Sequence, residues 1–487
     1  MTECRTNGSE KQGQISLDLR LGKVIEGNFD GGQVSSDGGM LLLRKADDKL
    51  GLTELVGPCF GDKRRPDLVK HSIEQLFRQR VYAIAAGYED CNDSARIGKD
   101  AMHRLAVGIR PNDSKNLASQ PTLSRWENSV DETTLELLQK LLVLTYIRQQ
   151  KRRPKVVKLA IDTTRDEVYG YQQMSFYNGF YKGYCFTPLF VFTDDGFPLA
   201  ALLRPGNAGK YEGTLRMLRQ IVQELRRAWP SIKIEFTADS AFAAPGIYDY
   251  CEENNVTYFI AIAGNSALQC ESQHSVLKTK ALYDELAEPT APLKKYAQMD
   301  HKERKKAWRQ NEERIRFSSK KEGRMQETFE EEQVYIRKVT EFQYKAKPWK
   351  NPRRIICKVE FTNEGPDVRY VVTNAKRGKP CDVYAKYCQR AQCENWIKDM
   401  KTYLKCDRTS CQEFTANQFR LLLHTFGYML LWVLRRGAKL KNATVATVQI
   451  HLLKIGVLVK ESVRRIRLQF ASEHPWQDEF SNAWHSL

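Results

Sequence analysis

No stretch of this 487-residue chain is apolar for long enough to cross a bilayer; the longest strongly apolar run, Phe426 to Leu434, covers less than half of the roughly 20 residues that a spanning helix needs. The opening residues, MTECRTNGSEKQGQ, have no apolar core, which argues against a secretory leader. A cytoplasmic location is therefore expected, where the 12 cysteines stay reduced. The motif G-x-x-x-x-G-K-[ST] is also missing. Its nearest approach, Gly206 to Gly213, has Tyr211 after Lys210 and reads as a loop, so no nucleotide cofactor is expected. No internal repeat is evident, which excludes a solenoid. Nor is the chain poor in apolar residues: at 41% hydrophobic it is folded rather than a disordered tail.

Acidic residues are what it has too few of. Lysine and arginine number 77 against 59 aspartates and glutamates, a net charge of +18 with a pI near 9.3. Such a balance favours a polyanionic partner, because each neutralised phosphate releases counterions. An acidic membrane surface would suit the charge equally well, and a merely solvated surface would also carry it. Cys388, Cys393, Cys406 and Cys411 form two C-x4-C pairs. In a helical stretch, residues five apart point to different faces, so buried thiols are expected there rather than a zinc site.

Turn residues mark the first 60 positions: Gly31-Gly32, then Ser35-Ser36-Asp37-Gly38-Gly39. Residues 67–150 read as helical, with Val69, Ile73, Leu76, Phe77 and Ile84 forming one apolar stripe; Ser119 to Trp126 reads as a loop leading into a helix cap. The texture changes at Lys155. Strands are predicted at Val156–Ile161, Tyr184–Thr193 and Pro198–Leu203 as a meander. A helix follows over Tyr211–Trp229, a strand over Lys233–Thr237, a short helix over Pro245–Asn254 and a strand over Thr257–Ala263. That β-β-β-α-β-α-β order is the order of a ribonuclease H-like fold with a mixed five-stranded sheet. Residues 266–365 interrupt it as a β-rich insertion containing a basic run, Lys294 to Arg324. The chain then turns helical from Asp382 to Lys401, and a strongly apolar helix follows over Gln418–Arg436. The tail after Lys439 reads as helical and basic, with Arg464, Arg465 and Arg467.

Asp162 ends the first strand and Asp239 directly follows the fourth. In the ribonuclease H-like order these strands are neighbours, so the two carboxylates can meet at one sheet edge. Phosphodiester cleavage with two metal ions about 4 Å apart requires such converging acids. Asp166, in the turn that follows, is a weaker rival for the first position. The third acid is better marked. Tyr387, Arg390, Glu394 and Lys401 fit Y-x2-R-x3-E-x6-K; on one continuous helix they share an arc of about 60°. That face would set a carboxylate beside two cations and a phenol, equipment for a metal next to a phosphate. A solvated helix with an Arg–Glu pair is the plainer reading.

With these motifs the chain resembles the DDE transposases of bacterial insertion sequences, in the group with a Y-R-E-K signature. Ala160-Ile161-Asp162-Thr163-Thr164, Ala238-Asp239-Ser240-Ala241-Phe242 and Glu394 match its three acids, and Tyr387, Arg390 and Lys401 are in register. Upstream, Asn28 to Gly32, Ala86 to Asp90 and Gln120 to Asn128 resemble the N-terminal region of one of its families. The resemblance implies recognition of terminal inverted repeats, metal-dependent strand cleavage and strand transfer. It implies Mg2+, with Mn2+ as a substitute, held by Asp162, Asp239 and Glu394, and DNA contacts by Tyr387, Arg390 and Lys401. Double-stranded DNA, as transposon ends and target, is the implied partner, with a homodimer on DNA and a nucleoid-associated location. Residues 1–150 are then a mainly helical DNA-end-binding region and 151–265 the first part of the catalytic core. Residues 266–365 are the insertion, 366–440 the second part of the core with the Y-R-E-K helix, and 441–487 the tail. Two alternatives stay open: a ribonuclease H-like nuclease without integration activity, and a catalytically inactive DNA-binding derivative.

Overall fold

Helices dominate the chain up to Gln149, and local signals explain where they start and stop. The computed structural model describes residues 15–17, 22–23, 25–62, 64–287, 335–362 and 364–487; the basic run Lys294 to Arg324 lies outside them. Helix α1 (Met40–Leu50) stops at Gly51, whose φ of 61° is a left-handed conformation that glycine adopts without strain. Helix α2 (Ile73–Ala85) is capped by Ser72, whose hydroxyl accepts from the Gln75 amide. The predicted stripe holds for Ile73, Leu76, Phe77 and Ile84, all buried, while Val69 precedes the helix. Helix α3 spans Ala101–Val107. The segment expected as a loop is helix α4 (Gln120–Glu127); Pro121 sits in its first turn, where a missing N–H costs nothing. Asp131 caps α5 (Glu132–Gln149) by accepting from Thr134 N at 2.8 Å.

The following elements are β1 (Val156–Thr163), β2 (Leu189–Thr193), β3 (Pro198–Leu202) and α6 (Thr214–Ala228). Next come β4 (Lys233–Ala238), α7 (Pro245–Glu253), β5 (Val256–Ile262) and α8 (Ser266–Ala287). After them lie β6 (Ile336–Tyr344), β7 (Arg353–Thr362), β8 (Gly365–Thr373), α9 (Pro380–Cys388) and α10 (Ala391–Leu404). Helix α11 (Phe414–Gly437), β9 (Val457–Glu461), β10 (Ile466–Phe470) and α12 (Gln477–Ser486) complete the chain. Its described residues divide into two compact units: those within 1–155, 162–232 and 392–487 form the first, and those within 156–161 and 233–391 the second.

The second unit is built on strands in the order β6-β7-β8-β5-β4-β1. β4 runs parallel to both β1 and β5, and α7 makes the crossover between β4 and β5. Leu159, Ile234, Phe236, Tyr258, Phe259 and Ile260 are all buried, as expected of parallel strands covered on both faces. β8 pairs antiparallel with β5, Val372 opposite Ile260. The strands expected in a separate insertion therefore extend this sheet, and the five-stranded expectation is too small: this unit alone aligns six. Their unpaired edges would otherwise be exposed, and β5 offers β8 a free edge.

In the first unit, β2 and β3 pair antiparallel, Leu189 opposite Leu202. The strand predicted over Tyr184–Thr193 is broken at Pro188, which has no N–H to donate. Its first part, Gly183–Phe186, joins a separate three-stranded sheet with Asp166–Glu167 and Phe176–Asn178. Helix α11 is buried along nearly all its length, and Phe426 packs edge-on to Phe77 of α2 with ring centroids 5.5 Å apart. Among the described residues no helix is long and apolar enough to cross a membrane. The tail is helical only in part, over Val445–Leu453 and Gln477–Ser486, with strands between. β9 and β10 form a hairpin, and β9 also pairs with Val34–Ser35 before α12 follows. Alternation decides this: Val457 and Val459 point inward and are buried, the period of a strand.

Candidate active site

In the first unit, Asp162 stands at the end of β1. It is 7% exposed, and its Oδ1 accepts from the Thr163 amide at 2.8 Å. Glu394 lies exposed in the first turn of α10, where the positive end of the helix dipole favours a carboxylate. Lys401 lies two turns further along the same helix. A cavity of about 330 Å3 is lined by Asp162, Thr163, Thr164, Glu394, Lys398 and Lys401 among others. Trp396, on the same helix, lies against Phe192 with centroids 5.4 Å apart.

Lys401 is tied to the turn after Asp162. Its ammonium donates to Thr164 Oγ1 at 3.2 Å and to the Arg165 carbonyl, and lies 3.7 Å from Asp166 Oδ1 and 3.9 Å from Asp407 Oδ2. Asp166, the rival for the first acid, is fully buried, and neither of its oxygens has a hydrogen-bond partner. Burial pushes its carboxyl up to about 8 against the pull of Lys401, so at neutral pH it is largely protonated. It is a poor ligand in that state, whereas Asp162 faces the cavity.

In the second unit, Asp239 follows β4 and caps the turn Ser240–Phe242, its Oδ1 accepting from Ala241 N at 2.9 Å. Tyr387, at the end of α9, is half-buried against a cluster of Phe259, Ile356, Val371, Val383 and Tyr384. Burial raises its phenol above the usual range; Arg390 lowers it by charge and hydrogen bond, and Asp239 raises it further. Tyr387 is thus in electrostatic reach of both Asp239 and Arg390 within this unit.

The four Y-R-E-K residues do not share one helix, contrary to the expectation from their spacing. Helix α9 ends at Cys388 and α10 begins at Ala391, with a turn at Gln389–Arg390 in which the Arg390 amide bonds the Tyr387 carbonyl at 3.0 Å. Tyr387 lies on α9, Arg390 in the break, and Glu394 and Lys401 on α10. Only the last two keep the predicted common side. Neither glycine nor proline marks this break, so no local signal announces it.

Among the described residues, no three of His, Cys, Asp and Glu stand together as a metal-binding group. The four cysteines of the C-x4-C pairs form no disulfide; Cys393 and Cys406 are buried and Cys388 is exposed. The expectation missed two features. One is the burial of Asp166. The other is an exposed aromatic set in the connections between the strands of the small sheet that follows Asp162, including Tyr171 at 94% and Phe180 at 86% exposure. Its signal is the run of Tyr and Phe from Tyr169 to Tyr184, of which only Tyr184 falls in a predicted strand.

No curated protein sequence matches the chain. Among solved structures it is similar to the piggyBac transposase, described by cryo-electron microscopy as a synaptic complex with hairpin DNA. The TM-score is 0.39 at 10% identity, covering 86% of this chain and 80% of that one. The family model for the transposase DDE domain, group 1, matches residues 18–487, nearly the whole chain. The chain belongs to the transposase DDE domain family.

Proposed function

We propose that this protein is a DNA transposase that binds the terminal inverted repeats of an insertion sequence and catalyses strand cleavage and strand transfer by a cut-and-paste route. Asp162, Asp239 and Glu394 are its metal-holding carboxylates. The observation that carries this reading is that Asp162 and Glu394, remote in sequence, line one cavity of the first unit. Asp239 is assigned by register. Val156 stands opposite Lys233 and Ala160 opposite Thr237, and Asp162 and Asp239 are separated by the same number of residues as each of those pairs.

The donors suit a hard cation. Carboxylates and threonine hydroxyls line the cavity with no histidine or cysteine among them, the oxygen set that Mg2+ or Mn2+ prefers. When bound, such ions would supply charge stabilisation to the attacking and leaving oxygens. The chain's own residues do the rest. Lys401 fixes the turn that carries Thr164 and Arg165, and so holds the approach to Asp162. Lys398 adds a second cation to the cavity wall, favouring an anionic phosphate there. Tyr387 and Arg390 supply a phenol and a guanidinium for the DNA backbone near Asp239.

One chain carries one set of three acids, so two element ends call for two protomers about a two-fold axis. The test is incubation with an inverted-repeat duplex and Mg2+, with a chelator control, scored for cleaved and joined products. Asp162→Asn, Asp239→Asn and Glu394→Gln are each expected to abolish cleavage while leaving duplex binding within about two-fold. Undiminished cleavage by Glu394→Ala would remove the assignment.

A further inference from the structure

The helical part of the first unit holds a second large concavity, apart from the carboxylates. It has a volume of about 1290 Å3 and is bounded by the segment before α2, the 115–119 loop and the starts of α4 and α5. Its wall carries Arg64, Arg65, Lys70, Lys115 and Arg125, against two lining acids, Asp62 and Asp131. Both acids are already engaged. Asp62 takes a two-pronged bond from Arg64, at 2.8 and 2.7 Å, and Asp131 caps α5. Lys70 and Arg125 are exposed, and among the described residues no acid pairs with either. Ser119 and Thr122, at the first turn of α4, add hydroxyls to the same wall.

We propose that this groove grips the phosphate backbone of double-helical DNA, as an anchoring site distinct from the carboxylates. The proposal rests on the transposase reading and names where the duplex is held. Excess positive charge over a long wall, with neutral hydroxyl donors between, matches a row of phosphates and exceeds what one small anion needs. His71 reports the field in the groove. Burial depresses its imidazole, and Lys115, Arg64 and Lys70 depress it further.

The test is the full chain carrying Lys70→Ala and Arg125→Ala together, titrated against an inverted-repeat duplex and a random duplex from 0.05 to 0.3 M salt. Lys99→Ala with Lys441→Ala is the matched control pair of exposed lysines. Each lost phosphate contact weakens binding on the order of ten-fold at 0.1 M salt and flattens the log–log salt slope by about one. The double variant is therefore expected to lose both duplexes alike, with a slope smaller by about two, and Arg125→Lys is expected to recover most of its share. Unchanged affinity and slope overturns the proposal. So does a loss confined to the inverted repeat at unchanged slope, or a loss of self-association alone, which would make the groove a protein-binding surface. Circular dichroism of the double variant guards against misfolding; an unfolded double variant passes the test to Lys70→Gln alone, read by the same slope. A wild type that cleaves nothing, with the groove variants still weakened, would remove the transposase reading and leave the groove standing.

Discussion

Replacing Asp166 by asparagine is expected to shift stability in the variant's favour as pH rises. Its carboxyl is fully buried without a hydrogen-bond partner, and the nearest cation, Lys401, is 3.7 Å away. Burial wins over that cation and pushes the carboxyl up to about 8, against about 3.9 in an unfolded chain. The sign follows from proton counting. Between about pH 4 and pH 8 the folded chain holds a proton that the unfolded chain has released, so this site removes stability as pH rises. At 1.36 kcal/mol per unit, the loss between pH 5 and pH 8 is about 3–4 kcal/mol. Asparagine keeps the shape and has no proton to lose; its unpaired amide costs about 1–3 kcal/mol at every pH. The difference in unfolding free energy between Asp166→Asn and wild type should therefore move by about 3 kcal/mol in the variant's favour from pH 5 to pH 8. Urea unfolding of both proteins at pH 5, 6.5 and 8 measures it. A difference that does not change with pH refutes the reasoning, because it means that Asp166 is ionised and paired with Lys401 in the folded protein. The same variant separates the two candidates for the first acid: Asp166→Asn should still cleave DNA where Asp162→Asn does not.

Asp37 is the opposite case. It is 2% exposed, and although burial raises its carboxyl, His103 and Lys454, at 2.8 Å each, hold it down at about 2. Its stabilisation is present above about pH 4 and lost as pH falls toward 2, so Asp37→Asn should cost about 2–3 kcal/mol at pH 7 in urea unfolding and flatten the acid limb. An acid limb as steep as that of wild type would count against it. Arg80 and Glu127 form a buried pair at 2.6 Å, and Arg80→Ala leaves Glu127 with the more distant Arg420, 4.0 Å away, as its ion-pair partner among the described residues; a loss of about 3–5 kcal/mol is expected by denaturant titration. Light scattering of the purified chain should give a monomer or weak dimer alone and a dimer holding two duplexes on inverted-repeat DNA. A single protomer excising both ends, with no paired complex at any stage, would contradict that.

Local pattern was enough wherever a segment's fate depends on its own residues. The segments Val156–Ile161, Lys233–Thr237 and Thr257–Ala263 form β1, β4 and β5 because their apolar residues keep a strand's pattern: Ile234 and Phe236 are buried beside the less buried Lys233 and Glu235, and Tyr258, Phe259 and Ile260 are buried in succession. Asp162 and Asp239 were legible for the same reason, as the first charges after such runs, and α11 because few elements other than a buried helix are apolar for so long. The spacing of Glu394 and Lys401 also survives, since both fall within one uninterrupted helix.

Everything that depends on a distant partner had to wait for the tertiary structure. The helix break at Gln389–Arg390 carries no glycine or proline, and so leaves no mark in the sequence. β8 joins the sheet because β5 has a free edge, and β9 is a strand partly because Val34–Ser35, at the other end of the chain, lies beside it. Burial is a property of surroundings: Asp166 and Asp162 look alike four residues apart, yet one is sealed from water and the other opens on a cavity. The groove, likewise, exists only because Arg64, Lys115 and Arg125 come from three segments that folding brings to one wall.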